Sequence, residues 1–327
     1  GIVPVHTLGY FKDGRPYFTM KQIKGVTLDK LVSPYSRNSS SLPRLVNLLL
    51  RVCEAAAYAH SNGIIHRDIK PANIMIGDFG EVLLLDWGIA RILSEKEEIS
   101  SDVPLEDLQS GSTRYGTVMG TANYMPLEQG LGDLDSLGPQ TDVYSLGCVL
   151  YEILTGRPPY IGQDSRQVLQ QLIRESPPDP EIIAPWPIPK DLTDICRKAM
   201  SRKPEDRYEN AGELGAALEA WRDGNLRRQE ALREVLEAEK MRPLVDHLRT
   251  SARELVAQAQ QKSSTIQPFD PVEKKIPVWK LEEKAENMTR EAELQEVALT
   301  QKLGAAISHA PDLPQAHEIL ADLYRDW

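Results

Sequence analysis

Four polar side chains have the types and spacing that phosphoryl transfer requires. Asp68, Lys70 and Asn73 lie within one short stretch, and Asp86 follows thirteen residues after Asn73. The reaction needs an aimed acceptor hydroxyl and cations that absorb charge on the transferring oxygens. Asp68 could orient the hydroxyl and accept its proton, and Lys70 could reach the γ-phosphate. Asn73 and Asp86 offer the hard oxygen ligands of Mg²⁺, so the pattern predicts a site for ATP and Mg²⁺.

The elements around these residues can be outlined from the hydrophobic pattern. A long helical pattern covers residues 42–62 and ends at Gly63, a residue suited to the position just after a helix. The chain then alternates loop, short strand, loop and short strand as far as residue 88. We therefore expect Asn73 and Asp86 at the ends of neighbouring strands.

The segment HRDIKPAN at residues 66–73, followed by DWG at residues 86–88, resembles the catalytic loop and magnesium motif of protein kinases. Lys70 in the form KPxN is the serine/threonine variant. The resemblance covers about residues 1–222 and implies catalytic roles for Asp68, Lys70 and Asn73. It also implies that Asn73 and Asp86 hold Mg²⁺ and that Lys70 and Asp86 act on the nucleotide.

Further landmarks follow in the family's order. Residues 120–128 (GTANYMPLE) resemble the segment that ends in Ala-Pro-Glu, and Thr121 there would contact Asp68 and Lys70. Residues 142–147 (DVYSLG) match the start of the large buried helix. The resemblance gives structural roles to three residues: Asp142 ties down the backbone of the catalytic loop, and Glu128 pairs with Arg207.

The adenine end of the site is implied by residues 17–23 (YFTMKQI), which resemble the strand and hinge beside the base. Met20 would be the gatekeeper, and backbone groups of Lys21 and Ile23 would face the adenine. Met75 would form the apolar floor beneath it. An apolar methionine in a strand is also common in an ordinary core, and that alternative stays open.

Regulation is implied by Arg67, which resembles the arginine that pairs with a phosphorylated activation segment. Thr113 and Thr117 are the candidate phosphorylation sites in that segment, with Ser110, Ser112 and Tyr115 as competitors. Ordinary loop hydroxyls are the alternative interpretation. Phosphate would act only if it found an arginine.

The sequence departs from the family pattern at its beginning. It contains no G-x-G-x-x-G loop, and no strand lysine precedes the hinge. Residues 1–5 resemble the fourth strand, so we expect a fragment with an incomplete N-lobe. Trp87 replaces the usual Phe, and Leu127 replaces the Pro of Ala-Pro-Glu.

Bulk composition narrows the class of partner and compartment. The 38 basic and 48 acidic residues give a charge of −10, which argues against nucleic acid as a partner. Three widely spaced cysteines suggest reduced thiols and a cytoplasmic location. No apolar run reaches the roughly 20 residues that a membrane helix needs.

The predicted fold class is α+β and mostly α, a kinase-like C-lobe with residual N-lobe strands followed by an all-α extension. Three segments are expected: a kinase domain at 1–222, a helical or coiled-coil extension at 223–304, and the start of a tetratricopeptide-like repeat at 305–327. Six residues of the extension fall on one helix face: Leu281, Ala285, Met288, Ala292, Leu299 and Leu303. This tail could bind a partner or self-associate, although a plain helical hairpin or a capping helix would fit equally.

The favoured function is a serine/threonine protein kinase that acts on a protein substrate. The alternative is a catalytically inactive kinase-like scaffold that binds partners through its C-lobe and tail. A third hypothesis, a small-molecule phosphotransferase, does not account for residues 120–128, Asp142 or Arg207.

Overall fold

The computed structural model of the chain describes residues 1–32, 42–87, 90–93, 122–267 and 269–325. The chain divides into two compact units, Gly1–Arg222 and Asp223–Trp327. The first unit mixes short strands with helices and the second is helical, which confirms the predicted fold class.

Within the described ranges, every helix is too short or too polar to cross a bilayer.

The strands of the first unit form three small antiparallel groups. Their bounds are β1 Val5–Tyr10, β2 Pro16–Met20, β3 Gly25–Thr27, β4 Ile64–Ile65, β5 Ile74–Gly77, β6 Val82–Leu84 and β7 Arg91–Ile92. β1 pairs with β2, β4 pairs with β7, and β3, β5 and β6 form a sheet in that order. The loops that follow β4 and β6 carry the polar residues singled out above.

The helices of the first unit surround one that is buried over most of its surface. Their bounds are α1 Leu28–Val32, α2 Leu42–Ser61, α3 Leu127–Gly130, α4 Pro139–Thr155, α5 Ser165–Arg174, α6 Pro180–Ile183 and α7 Lys190–Ala199. α4 packs against α2 and α7 and buries apolar side chains all round. Such a helix forms the centre of a core. Gly63, with φ of 70°, follows the end of α2.

Three long helices follow: α8 Ala211–Ser263, α9 Val272–His309 and α10 Pro314–Arg325. The sequence pattern predicts a helix end near residue 222, which is wrong because α8 continues through it. It also predicts a break over residues 263–277, which is present but shorter, between Ser263 and Val272. A lone glycine such as Gly224 costs about 1 kcal/mol in a helix and does not end it. Pro277 lies in the second turn of α9, where a proline removes one backbone hydrogen bond.

In the second unit, α8 and α9 run antiparallel, since Glu234 pairs with Lys302 and Arg249 with Glu296. Buried residues spaced by seven face inward on both helices: Ala231, Ala238, Val245, Ala252 and Ala259 on α8, and Val278, Ala285, Ala292, Leu299 and Ala306 on α9. This spacing keeps one seam of each helix turned to its neighbour. α10 packs on α9; its tetratricopeptide-like character stays a prediction.

Candidate functional site

The loop at residues 66–73 brings three of the predicted site residues into direct contact. It leaves β4, forms a 3₁₀ turn at Pro71–Asn73 and enters β5. Lys70 Nζ lies 2.7 Å from Asp68 Oδ2, and Asn73 Nδ2 donates to the same oxygen at 3.0 Å. Asn73 Nδ2 also donates to the Asp68 carbonyl at 2.8 Å. The Asp68 carboxylate is therefore held by two nitrogen donors from its own loop.

The β5–β6 hairpin places Asp86 beside this loop. The register pairs Ile74 with Leu84, and the Leu85 N–H donates to the Asn73 carbonyl at 2.8 Å. Asp86 therefore follows directly after the residue bonded to Asn73. It is exposed and has a positive φ of 63°. Non-glycine residues seldom adopt this conformation outside functional sites and turns.

Asn73 and Asp86 open onto a cavity of about 480 Å³, a volume typical of small-molecule sites. Its wall is mainly apolar and comprises Val3, Val5, Leu8, Phe18, Met20, Ala72, Leu84, Leu85 and Trp87. Sequence reasoning identified Met20 but missed Val5, Leu8 and Phe18 of the β1–β2 hairpin. Lys21, Ile23 and Met75 are not among the residues that line this cavity, and their adenine roles stay predictions.

The oxygens at this site suit a hydroxyl substrate and a hard cation. Asp68 Oδ1 is buried and accepts no hydrogen bond from the described residues. Both hydrogen bonds that the Asn73 side chain makes with the described residues use its nitrogen, so its amide oxygen stays available. Among the described residues no three His, Cys, Asp or Glu side chains cluster as a metal site. Mg²⁺ usually keeps water and phosphate ligands besides one or two protein oxygens, so the predicted ligands Asn73 and Asp86 would be enough for one ion.

Asp142, at the start of α4, binds the backbone of the loop. Its Oδ2 accepts the His66 N–H at 2.7 Å, and its Oδ1 accepts the Arg67 N–H at 2.8 Å. The His60 ring nitrogen Nε2 lies 2.9 Å from Oδ2. All three contacts are made by a carboxylate that is 1% exposed, which is the geometry the predicted structural role requires.

His66 belongs to the same loop, and the sequence did not predict a role for it. Its Nδ1 accepts the Asp68 N–H at 3.2 Å, and its Nε2 lies 2.9 Å from the Leu85 carbonyl. The proton therefore sits on Nε2, because Nδ1 already accepts a hydrogen bond. The ring packs 4.5 Å from the Trp87 ring. Burial lowers the pKa of His66 below its ordinary value, in agreement with a neutral ring that joins Asp68 to Leu85.

Glu128 and Arg207 form a buried, two-pronged ion pair. Arg207 Nη1 donates to Glu128 Oε1 at 2.7 Å and Nη2 donates to Oε2 at 2.9 Å. Arg207 also donates to the backbone carbonyls of Ser201, Gln140 and Arg202. Because both charges are buried, the carbonyls and the fork geometry are needed to offset desolvation.

The regulatory residues are only partly placed. Arg67 lies in the loop with a positive φ of 70°, and Gln129 Nε2 donates to its carbonyl at 2.9 Å. Thr113, Thr117 and Thr121 lie outside the described residues, and their roles stay predictions.

Comparisons with known proteins match this chain to protein kinases. The family model described as "Protein kinase domain" matches residues 5–216. The serine/threonine-protein kinase PknB of Mycobacterium tuberculosis is 39% identical over 203 residues, which cover 62% of this chain and 30% of PknB. PknD of Protochlamydia amoebophila, another serine/threonine-protein kinase, is 35% identical over 238 residues, covering 68% of this chain and 24% of PknD. The chain thus spans less than a third of either relative.

Proposed function

This chain belongs to the protein kinase domain family, and from that premise we propose that it transfers the γ-phosphoryl group of ATP to serine or threonine hydroxyls of a protein. The observation that carries the proposal is the convergence of Lys70 and Asn73 on one carboxylate oxygen of Asp68. The second oxygen, Asp68 Oδ1, is left for a substrate hydroxyl.

Each residue has a distinct part in the proposed reaction. Asp68 Oδ1 accepts the hydroxyl hydrogen bond, aims the oxygen at the phosphorus and takes its proton as the new bond forms. Lys70 neutralises charge beside Asp68 and on the transferred group. Asn73 and Asp86 would hold Mg²⁺, which when bound neutralises charge on the phosphate oxygens. His66 and Asn73 keep Asp68 in place through its N–H and its carbonyl.

The apolar cavity beside Asp86 is suited to the adenine ring, with Met20 on its wall. The 327 residues contain no G-x-G-x-x-G loop, so we expect weak nucleotide affinity.

A cytoplasmic location fits a reaction that needs ATP. It also fits the three cysteines, which are buried and free. A protein substrate is the partner that the reaction requires, and self-association through the helical tail stays a prediction.

The decisive experiment measures phosphate transfer from labelled ATP to a library of Ser, Thr and Tyr peptides at saturating Mg²⁺. Asp68→Asn and Lys70→Met should each lower transfer to Ser and Thr peptides at least about 100-fold, the usual effect of losing a general base or a charge-stabilising group. Asp78→Asn, which alters an exposed carboxylate in the β5–β6 turn, is the matched control and should leave transfer unchanged.

Nucleotide binding is measured separately by calorimetry. Binding should depend on Mg²⁺ in the parent chain and lose that dependence in Asp86→Ala. Transfer by Asp68→Asn equal to that of the parent would refute the proposed catalytic role. Mg²⁺-dependent binding without any transfer would instead favour the scaffold alternative.

A further inference from the structure

The peptide unit between Arg67 and Asp68 has an unfavourable conformation that must be held by its surroundings. Arg67 and Asp86 are the two non-glycine residues of the described chain with positive φ. A left-handed backbone costs a non-glycine residue roughly 1–2 kcal/mol. Since Asp68 is the next residue, the orientation of this peptide sets the direction in which the Asp68 side chain leaves the backbone.

The N–H side of Arg67 is held by Asp142, as described above. That bond leaves the following peptide free to rotate about ψ of Arg67. The two polar groups of the 67–68 peptide are its oxygen, the Arg67 carbonyl, and its hydrogen, on Asp68 N. Asp68 N donates to His66 Nδ1, and the carbonyl accepts from Gln129 Nε2 at 2.9 Å. Because a peptide is planar, these two bonds fix its orientation.

Gln129 is itself held by the element that carries it. It lies in α3, next to Glu128, whose carboxylate is bound at both oxygens by Arg207. Glu128 is 6% exposed and Arg207 is 5% exposed. A buried, doubly bonded pair is a rigid support for the adjoining residue. The ion pair is thereby connected to the catalytic loop through Gln129, 62 residues away from Arg67 in the chain.

We propose that Gln129 is a positioning residue, which orients Asp68 by holding the Arg67 carbonyl; the inference rests on the proposed kinase function. Gln129 does not touch the cavity and takes no part in the chemistry. Its Oε1 is buried and accepts no hydrogen bond from the described residues. The Gln129 amide makes one hydrogen bond through its nitrogen, while its buried oxygen has no partner among the described residues. Burial of this side chain therefore adds little to the stability of the protein. The site therefore uses its N–H for orientation.

The test compares Gln129→Met with Gln171→Met. Methionine has a similar length and shape to glutamine but no N–H, and its substitution also removes the unmet acceptor. Gln171 is the matched control, because its Nε2 likewise donates to a backbone carbonyl, that of Ile161, at 3.0 Å. Gln129→Met should melt within about 3 °C of the parent, since one bond is lost and one unmet group is removed.

The first measurement is amide hydrogen exchange of the intact chain, which does not depend on activity. Gln129→Met should speed exchange in residues 64–70 by about fivefold to tenfold, as expected for the loss of one hydrogen bond, and leave the α4 amides unchanged. Gln171→Met should leave residues 64–70 at the parent rate. Equal exchange of this segment in the two variants would overturn the proposal.

The second measurement is steady-state phosphate transfer. Gln129→Met should lower kcat about tenfold while KM for ATP stays within about twofold, because Asp68 is misoriented and the cavity is intact. A kcat equal to that of Gln171→Met would overturn the positioning role. If the parent chain transfers no phosphate, the proposed kinase function fails, and exchange alone decides whether Gln129 orients the loop. Gln129→Leu, which also lacks the N–H and buries neither an acceptor nor a charge, carries both measurements if Gln129→Met does not fold.

Discussion

The Asp142 carboxylate accepts the Arg67 N–H at 2.8 Å although 75 residues separate the two in the chain. A second oxygen of the same carboxylate accepts the N–H of His66. One side chain at the beginning of the buried helix α4 therefore fixes two consecutive peptides of the loop that carries Asp68. The position of the proposed catalytic base depends on a residue of the core.

Replacing Asp142 by alanine should strongly destabilise the first unit. The N–H groups of His66 and Arg67 lose their acceptor. Each orphaned group costs about 1–3 kcal/mol, so the expected loss is about 2–6 kcal/mol. Differential scanning calorimetry of the full chain measures it. Asp194→Ala is the matched control, since that carboxylate is about half exposed and pairs with Lys190 on the surface; it should cost less than about 1 kcal/mol. Equal effects of the two substitutions would contradict the role of Asp142.

His66 should make the stability of the first unit depend on pH near neutrality. Burial lowers the pKa of His66 in the folded protein, so unfolding raises it. Above pH 6.5, the ordinary value, the ring is neutral in both states. As the pH falls from 6.5 towards the lower folded pKa, the unfolded chain binds a proton that the folded chain does not, and stability decreases.

The measurement is urea unfolding at a series of pH values between 7.5 and 5.5 for the parent, His66→Phe and His6→Phe. His66→Phe keeps a ring against Trp87 and should show a shallower decline than the parent. His6, an exposed residue of β1, serves as the control, and its replacement should leave the slope unchanged. A parent slope that survives in His66→Phe would assign the pH dependence to other groups.

The sequence predicts the proximity of Asp68, Lys70 and Asn73 because six residues of one loop cannot spread far. Asp86 could also be placed, since two short strands joined by a tight turn bring their outer ends together. The apolar wall formed by Val5, Leu8 and Phe18 could not be predicted in the same way. These side chains are more than half exposed, so no alternation of buried and exposed residues marks them, and their place depends on the approach of β1 and β2 to β6.

Gln129 and His66 were missed for a different reason. Their partners are backbone atoms of Arg67, Asp68 and Leu85. Because these backbone atoms are common to all three residue types, the residue types do not indicate which of them a side chain contacts. The pairing of Glu128 with Arg207 could be predicted because the resemblance to protein kinases assigns it to residues that match the family's motifs. Contacts from a side chain to a distant peptide are therefore accessible from the sequence only where a family motif assigns them, as it does for Asp142.

The ion pair of Glu128 and Arg207 should show strong coupling in a double-mutant cycle. Glu128→Ala leaves a buried guanidinium without its carboxylate, and Arg207→Met leaves a buried carboxylate, so each should cost about 3–5 kcal/mol. The double variant should cost less than the sum by about 1–3 kcal/mol, the usual range for residues in contact. The Lys190–Asp194 pair, exposed on α7, is the reference and should couple by less than about 0.5 kcal/mol. Additive effects of Glu128 and Arg207 on calorimetric stability would contradict the coupling.

The seam between α8 and α9 should not tolerate a larger side chain at its alanine positions. Ala292 is 2% exposed and borders the same groove as Ala252 of α8. Ala292→Leu inserts three carbon atoms into a close helix contact, which should cost about 1–3 kcal/mol through strain and separation of the helices. Leu294→Ala changes a residue of the same helix that is 66% exposed, and it should alter stability by no more than about 0.5 kcal/mol. Thermal unfolding followed by circular dichroism at 222 nm, the standard helix signal, compares them. If the leucine at position 292 leaves the helical transition unchanged, the two helices are not packed through their alanines.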